Sequence, residues 1–243
     1  MKKHLSVLML FARSTIWKLF ALLLLTAGAE VLLFCSLLPG AASPEAAAGG
    51  KGMALVFAAA FVLLSAMLCL TGCDFGGKLG DTLGRLRISE RAVYFWQSAY
   101  NLCCYFILWG FQTALSFGLC EWYMAKADPA AVSGQSVFLA FYADGFLHSL
   151  LPLDEASRWV RNGCMLLSLG FSSAAAPLMQ RRGKLAFSML ASAATALFVF
   201  TNPLGNPEKD FLVAGVCTAW LAWALAGALR KQPEEEACAD EEA

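Results

Sequence analysis

The chain has 243 residues, of which 59% are apolar and only 15% charged, and its 18 basic and 18 acidic residues cancel. With a mean hydropathy of +0.61, it falls outside the range of soluble globular domains, and nothing in its charge points to a nucleic-acid partner. The composition is that of an integral membrane protein.

Six runs are nearly free of charge. Residues 53–73, 92–120, 162–180, 185–207 and 211–229 contain no Asp, Glu, Lys or Arg, and 19–38 contains only Glu30. Each is close to the ~20 residues that a helix needs to cross a bilayer core. The expected fold is therefore all-α, with six transmembrane helices at roughly 19–38, 53–73, 92–120, 160–180, 185–203 and 211–229. Residues 1–232 form one transmembrane domain, followed by a tail at 233–243.

Taken from the beginning, "KHLSVLMLFARSTIWKLF" sets Leu5, Leu8, Phe11 and Ile16 near one helical face, with Lys3, Arg13 and Lys18 as its polar residues. Such a segment reads as an interfacial helix on anionic headgroups, or as an extension of the first span. A cleaved signal peptide fits less well, because Arg13 and Lys18 interrupt the apolar stretch and hydrophobicity continues to Leu38. Glu30 is the acidic residue deep inside a span. An ionisable group there is expected to face the protein interior or a water-filled path. Gln97, Asn101 and Gln112 of the third span are its candidate partners, and together these four mark a possible translocation path.

Between the second and third spans, 72–79 fits the first seven places of the phosphate-cradling pattern G-x-x-x-x-G-K-[ST]. Leu79 occupies the place where a hydroxyl would ligate Mg²⁺, and no strand precedes the loop, so ATP binding by this chain is not expected. The stretch reads instead as a turn out of the membrane at Gly76, Gly77 and Gly80. Asp81 would cap a brief helix, and Ser89 the third span. Arg85, Arg87 and Arg91 alternate there with Leu83, Leu86 and Ile88, which gives a basic and apolar surface.

Further on, 135–153 ("QSVFLAFYADGFLHSLLPL") is apolar but carries Asp144, His148 and Pro152. It reads as an outer-surface helix or a re-entrant segment, because a lipid-facing central Asp is costly. Asp144 and His148, four apart, would share a helical face as a hydrogen-bonded pair, and two such residues alone are weak evidence for a metal. Trp159 with Arg158 and Arg161 sets the start of the fourth span near the outer headgroups. Nine cysteines show no C-x-x-C spacing and read as small apolar residues, with no metal site. The tail has six acidic residues in its last ten and little to bury, the composition of a disordered segment.

A cytoplasmic N-terminus with six spans puts 13 of the 18 basic residues on the cytoplasmic side, as the positive-inside rule requires. Both termini are then cytoplasmic.

"DTLGRLRISERAVYFWQSAYN" resembles the cytoplasmic loop between the second and third spans of type-2 ATP-binding-cassette (ABC) permeases, with Leu83-Gly84-Arg85-Leu86-Arg87-Ile88-Ser89 carrying the likeness. The resemblance implies six helices, often preceded by an interfacial helix, and a coupling helix that docks on a separate cytoplasmic ATPase subunit. Asp81, Leu83, Arg85, Leu86, Arg87, Ile88 and Arg91 would form that contact. ATP and Mg would be bound by the partner, with no cofactor and no catalytic residue on this chain. The chain would pair as a homodimer or heterodimer in the cytoplasmic membrane and act as an exporter subunit. In that family the outer re-entrant helices usually lie between the fifth and sixth spans, whereas 135–153 here precedes the fourth. Two other readings are a substrate-binding membrane component of an uptake system and a non-transporting accessory or immunity protein. An intramembrane protease is not indicated, since no Ser–His or H-E-x-x-H constellation is present.

Overall fold

The computed structural model describes residues 2–41, 43–72, 89–127, 135–202 and 206–230. Among them the protein is all-helical, with nine α-helices and one 3₁₀ turn and no strand. Helix α1 (Lys2–Leu37) is closed by the 3₁₀ turn Leu38–Gly40, where Pro39 cannot continue the ladder. The short α2 (Pro44–Ala48) leads into α3 (Gly50–Gly72). Ser89 opens α4 (Glu90–Lys126), its hydroxyl accepting from the Ala92 amide at 3.4 Å. Two short helices follow, α5 (Ser136–Ala143) and α6 (Gly145–Leu150). Helices α7 (Ala156–Arg181), α8 (Phe187–Thr201) and α9 (Pro207–Leu229) complete the bundle.

Helix α7 packs against α3, α4, α8 and α9 and forms the centre of the molecule. Its sequence permits this. Gly170, Ser172, Ser173, Ala174, Ala175 and Ala176 are all buried, and small side chains let helix backbones approach closely. A Cβ on Gly170 would stand 3.2 Å from Leu102 Cβ and 3.3 Å from its Cα, so α4 crosses α7 with no room for a side chain. Pro177 removes one rung of the α7 ladder, and the Ser173 carbonyl left without its amide takes the Cys69 thiol at 3.9 Å. Hydroxyls join the other helices: Ser168 to Ser192 at 2.9 Å and Ser65 to Tyr105 at 2.8 Å.

The two ends of the bundle are identified by contacts. At one end the Gly50 amide donates to Asp144 at 3.1 Å, and Tyr123 donates to the Ala41 carbonyl at 3.1 Å. At the other, Arg182 reaches Glu90 at 3.4 Å and the Gly227 carbonyl at 2.9 Å, while Arg91 reaches the Leu229 carbonyl at 3.5 Å. The long helices thus alternate in direction. Basic residues Arg91, Arg181, Arg182, Lys184 and Arg230 collect at the second end.

Among the described residues, four stretches are long and apolar enough to cross a membrane: Ser6–Gly40, Pro44–Thr71, Glu90–Lys126 and Pro207–Leu229. The other two expected spans differ in character. Helix α7 has the length, at 26 residues, but its polar and small residues lie inside the bundle, so its composition is less apolar. Helix α8 has 15 residues, about 22 Å, against a hydrocarbon core of about 30 Å.

The N-terminal segment also differs from expectation. Helix α1 runs unbroken through Arg13 and Lys18, both exposed on its surface, and so no separate interfacial helix forms. Exposed charges do not interrupt a helix whose backbone bonds are all internal. The Phe11 ring stacks on Tyr100, and Thr15 hydrogen-bonds the Tyr100 hydroxyl, fixing this part of α1 to α4.

Candidate functional site

Large apolar side chains cover the outside, and a set of polar side chains is buried within an otherwise apolar core. Trp17, Phe20, Leu24, Leu25 and Leu32 on α1, Leu63 and Leu70 on α3, Phe106 and Ile107 on α4, and Leu212 and Trp223 on α9 are exposed. Glu30, Gln97, Asn101, Gln112, Arg161, Asn162 and Asp210 are buried. In water the exposed apolar side chains are unfavourable. In lipid this arrangement is the stable one, because polar groups find partners only within the protein.

Glu30 on α1 is 1% exposed and Gln112 on α4 is 0% exposed. The Gln112 amide nitrogen donates to both carboxylate oxygens, at 2.7 Å each. No ion pair forms at Glu30 among the described residues. Gln112 Oε1 and Ser116 Oγ, one turn apart on the same face of α4, are buried without hydrogen bonds. The result is a carboxylate flanked by two polar oxygens that are still free to take a proton donor or a polar ligand.

The other two amides go elsewhere. Asn101 donates to Ser173 of α7 at 2.9 Å, and Gln97 is buried one turn before it. The structure therefore joins Glu30 to Gln112 and keeps Asn101 for a contact between helices. Of the residues expected to meet an ATPase, Asp81, Leu83, Arg85, Leu86, Arg87 and Ile88 lie outside the described residues. Arg91 is described, and it is exposed at the basic end.

Asp144 and His148 do not pair through their side chains. Asp144 ends α5 and caps α6, Oδ1 accepting from the amides of Phe146 at 2.9 Å and Leu147 at 3.0 Å, while Oδ2 takes the Gly50 amide. A Cβ on Gly49 would lie 2.6 Å from Asp144 Cγ, so glycine is required for this approach. The segment 135–153 is thus two helices broken at Asp144, with α6 buried in the bundle end and Phe138, Leu139 and Tyr142 of α5 exposed.

A buried ion-pair network at the same end was not read from the sequence. Arg161 and Asp210 are each 0% exposed. Arg161 Nη1 donates to Asp210 Oδ1 at 2.7 Å, and its Nε and Nη2 donate to Asn162 Oδ1 at 3.2 and 3.1 Å. Asn162 in turn donates to the Ser149 carbonyl of α6 at 2.8 Å, and Ser157 donates to Asp210 Oδ2 at 3.3 Å. Arg158 lies 3.9 Å from Asp210 and pairs with Glu155. The available signal was two charges of opposite sign flanking two apolar runs at the same expected membrane level.

Beside this network an apolar cleft of about 390 Å³ opens between α4, α6 and α7, lined by Phe106, Trp109, Phe117, Leu150 and Trp159 among others. The indole nitrogens of Trp109 and Trp159 are turned away to the carbonyls of Leu150 at 3.0 Å and Pro152 at 2.6 Å. The cleft therefore offers apolar surface, suited to a hydrocarbon chain or an apolar side chain.

No family model matches this chain, and no curated protein or solved structure matches it either.

Proposed function

We propose that the chain is the membrane-spanning subunit of an ABC-type exporter. In this reading α1, α3, α4, α7 and α9 cross the cytoplasmic membrane, the shorter α8 completes the sixth crossing where neighbouring helices cover its ends, and the basic end, with both termini, faces the cytoplasm. The observation that carries this reading is an apolar exterior with buried polar groups, together with an excess of basic over acidic residues at the end that holds Arg91, Arg181, Arg182, Lys184 and Arg230. Between α3 and α4 the sequence holds the Leu83-to-Ser89 stretch that resembles a coupling helix. In this reading Arg85, Arg87 and Arg91 with Leu83, Leu86 and Ile88 grip a separate ATPase, which binds ATP and Mg. A second permease copy or a related chain completes the pathway. The Glu30–Gln112–Ser116 group supplies polar contacts at membrane depth.

Co-purification from detergent with a co-expressed cassette ATPase tests the assignment. Arg85→Glu with Arg87→Glu is expected to lower recovery of the ATPase at least tenfold and to abolish its stimulation. Association and stimulation unchanged by that double variant would reject it.

A further inference from the structure

The connector between α6 and α7 places Asp154 and Glu155 beside His148, in the last turn of α6. One ligand atom from each of the three lies within 4.8 Å of the other two. His148 Nε2 is 3.2 Å from Asp154 Oδ1, yet it is buried and makes no hydrogen bond. A ring nitrogen withdrawn from water with no hydrogen bond is unfavourable, and here two carboxylates have an oxygen within 4.8 Å of it.

The charges around it are divided unevenly. Asp210 is held by Arg161, and Glu155 by Arg158. Asp154 faces only His148 among the ion pairs of the described residues, and its side chain is 51% exposed. The negative charge left over at this point is therefore on Asp154, the most exposed of the three.

A tetrahedral zinc ion with bonds of about 2.0–2.1 Å holds its ligand atoms about 3.4 Å apart. The His148–Asp154 separation, 3.2 Å, is already close to that length, and a Glu155 oxygen lies within 4.8 Å of both ligand atoms. One imidazole nitrogen and two carboxylate oxygens, with water in the fourth place, form a borderline donor set suited to zinc over magnesium or calcium. We propose that His148, Asp154 and Glu155 bind a divalent transition-metal ion of the zinc class. The ion would clasp α6 to the start of α7 and tighten the connector next to the Arg161–Asp210 network. This inference does not depend on the transport reading.

The test uses the full chain, tag-free and chelator-treated, in detergent micelles, titrated with Zn²⁺ by calorimetry and with Co²⁺ by absorption. The expected result is one Zn²⁺ per chain and a Co²⁺ spectrum without thiolate charge transfer. Binding should weaken at least tenfold in Asp154→Asn, whose exposed position leaves the fold intact, and in His148→Gln, checked for unchanged helicity. Glu121→Gln, at another exposed acid of the same end, should bind like the unmodified chain. Three results would each overturn the proposal: no saturable binding, full affinity in Asp154→Asn, or a thiolate band assigning the metal to cysteines.

Discussion

Arg161 and Asp210 illustrate how single residues decide this structure. Each stood next to a charge-free run, 49 positions apart, and a linear reading assigns such residues to solvated loops. The fold instead brings them face to face at 2.7 Å with no exposure. Removing one partner strands the other charge, at a cost of about 3–5 kcal/mol. Arg161→Met and Asp210→Leu are each expected to lower unfolding stability in micelles by that order. The double variant should lose clearly less than the two losses added together, and additive losses in the cycle would contradict the pair. Glu30 was legible as a buried acid, since it is the single charge in 19–38. Which of three amides it meets was not, because Gln97, Asn101 and Gln112 all sit on one helix and only the crossing of α1 and α4 selects Gln112. Gln112→Leu should therefore cost about 1–3 kcal/mol by leaving the carboxylate without its donor. Glu30→Gln, which keeps an amide–amide contact, should cost less in the same thermal-unfolding assay. Equal losses would argue against the 2.7 Å contacts.

Helix positions were largely visible before any coordinates. The runs 53–73 and 92–120 became Gly50–Gly72 and Glu90–Lys126, and 160–180 became Ala156–Arg181, each long run falling almost entirely within one helix. Ser89 was legible as a cap for the same local reason. What the runs concealed was continuity. Arg13 and Lys18 suggested a boundary, but side chains on the surface of a 36-residue helix leave its backbone intact. Asp144 showed the opposite effect: a helical face was expected across Asp144 and His148, whereas Asp–Gly at 144–145 ends one helix and caps the next. Asp144→Ala should remove that cap, at about 0.5–2 kcal/mol. Hydrogen exchange should report it as lost protection at the Phe146 and Leu147 amides, with α4 unaffected. Protection unchanged at those two amides would contradict the capping role. Gly170 tests packing between elements. Gly170→Leu forces α4 from α7, where a Cβ already meets Leu102 at 3.2 Å, and should destabilise the bundle by about 1–3 kcal/mol. A melting temperature equal to that of the unmodified chain would refute the close crossing.

Across the whole molecule the organising fact is an apolar exterior around a core that also buries polar groups. Tryptophan, leucine and phenylalanine cover the outside, while an ion pair, a carboxylate and a ladder of serines hold the helices together from within. Such a surface is consistent with a hydrocarbon solvent, and among the described residues four helices are long and apolar enough to cross a membrane. Orientation comes from the basic end, and the function proposed above depends on it, since a cytoplasmic ATPase must reach the loop 73–88. Insertion of an epitope after Gly80, and separately after Ala131, followed by antibody binding to intact and permeabilised cells, measures that orientation directly. The account predicts that the Ala131 epitope is bound on intact cells and the Gly80 epitope only after permeabilisation. Binding to the Gly80 epitope on intact cells would contradict it.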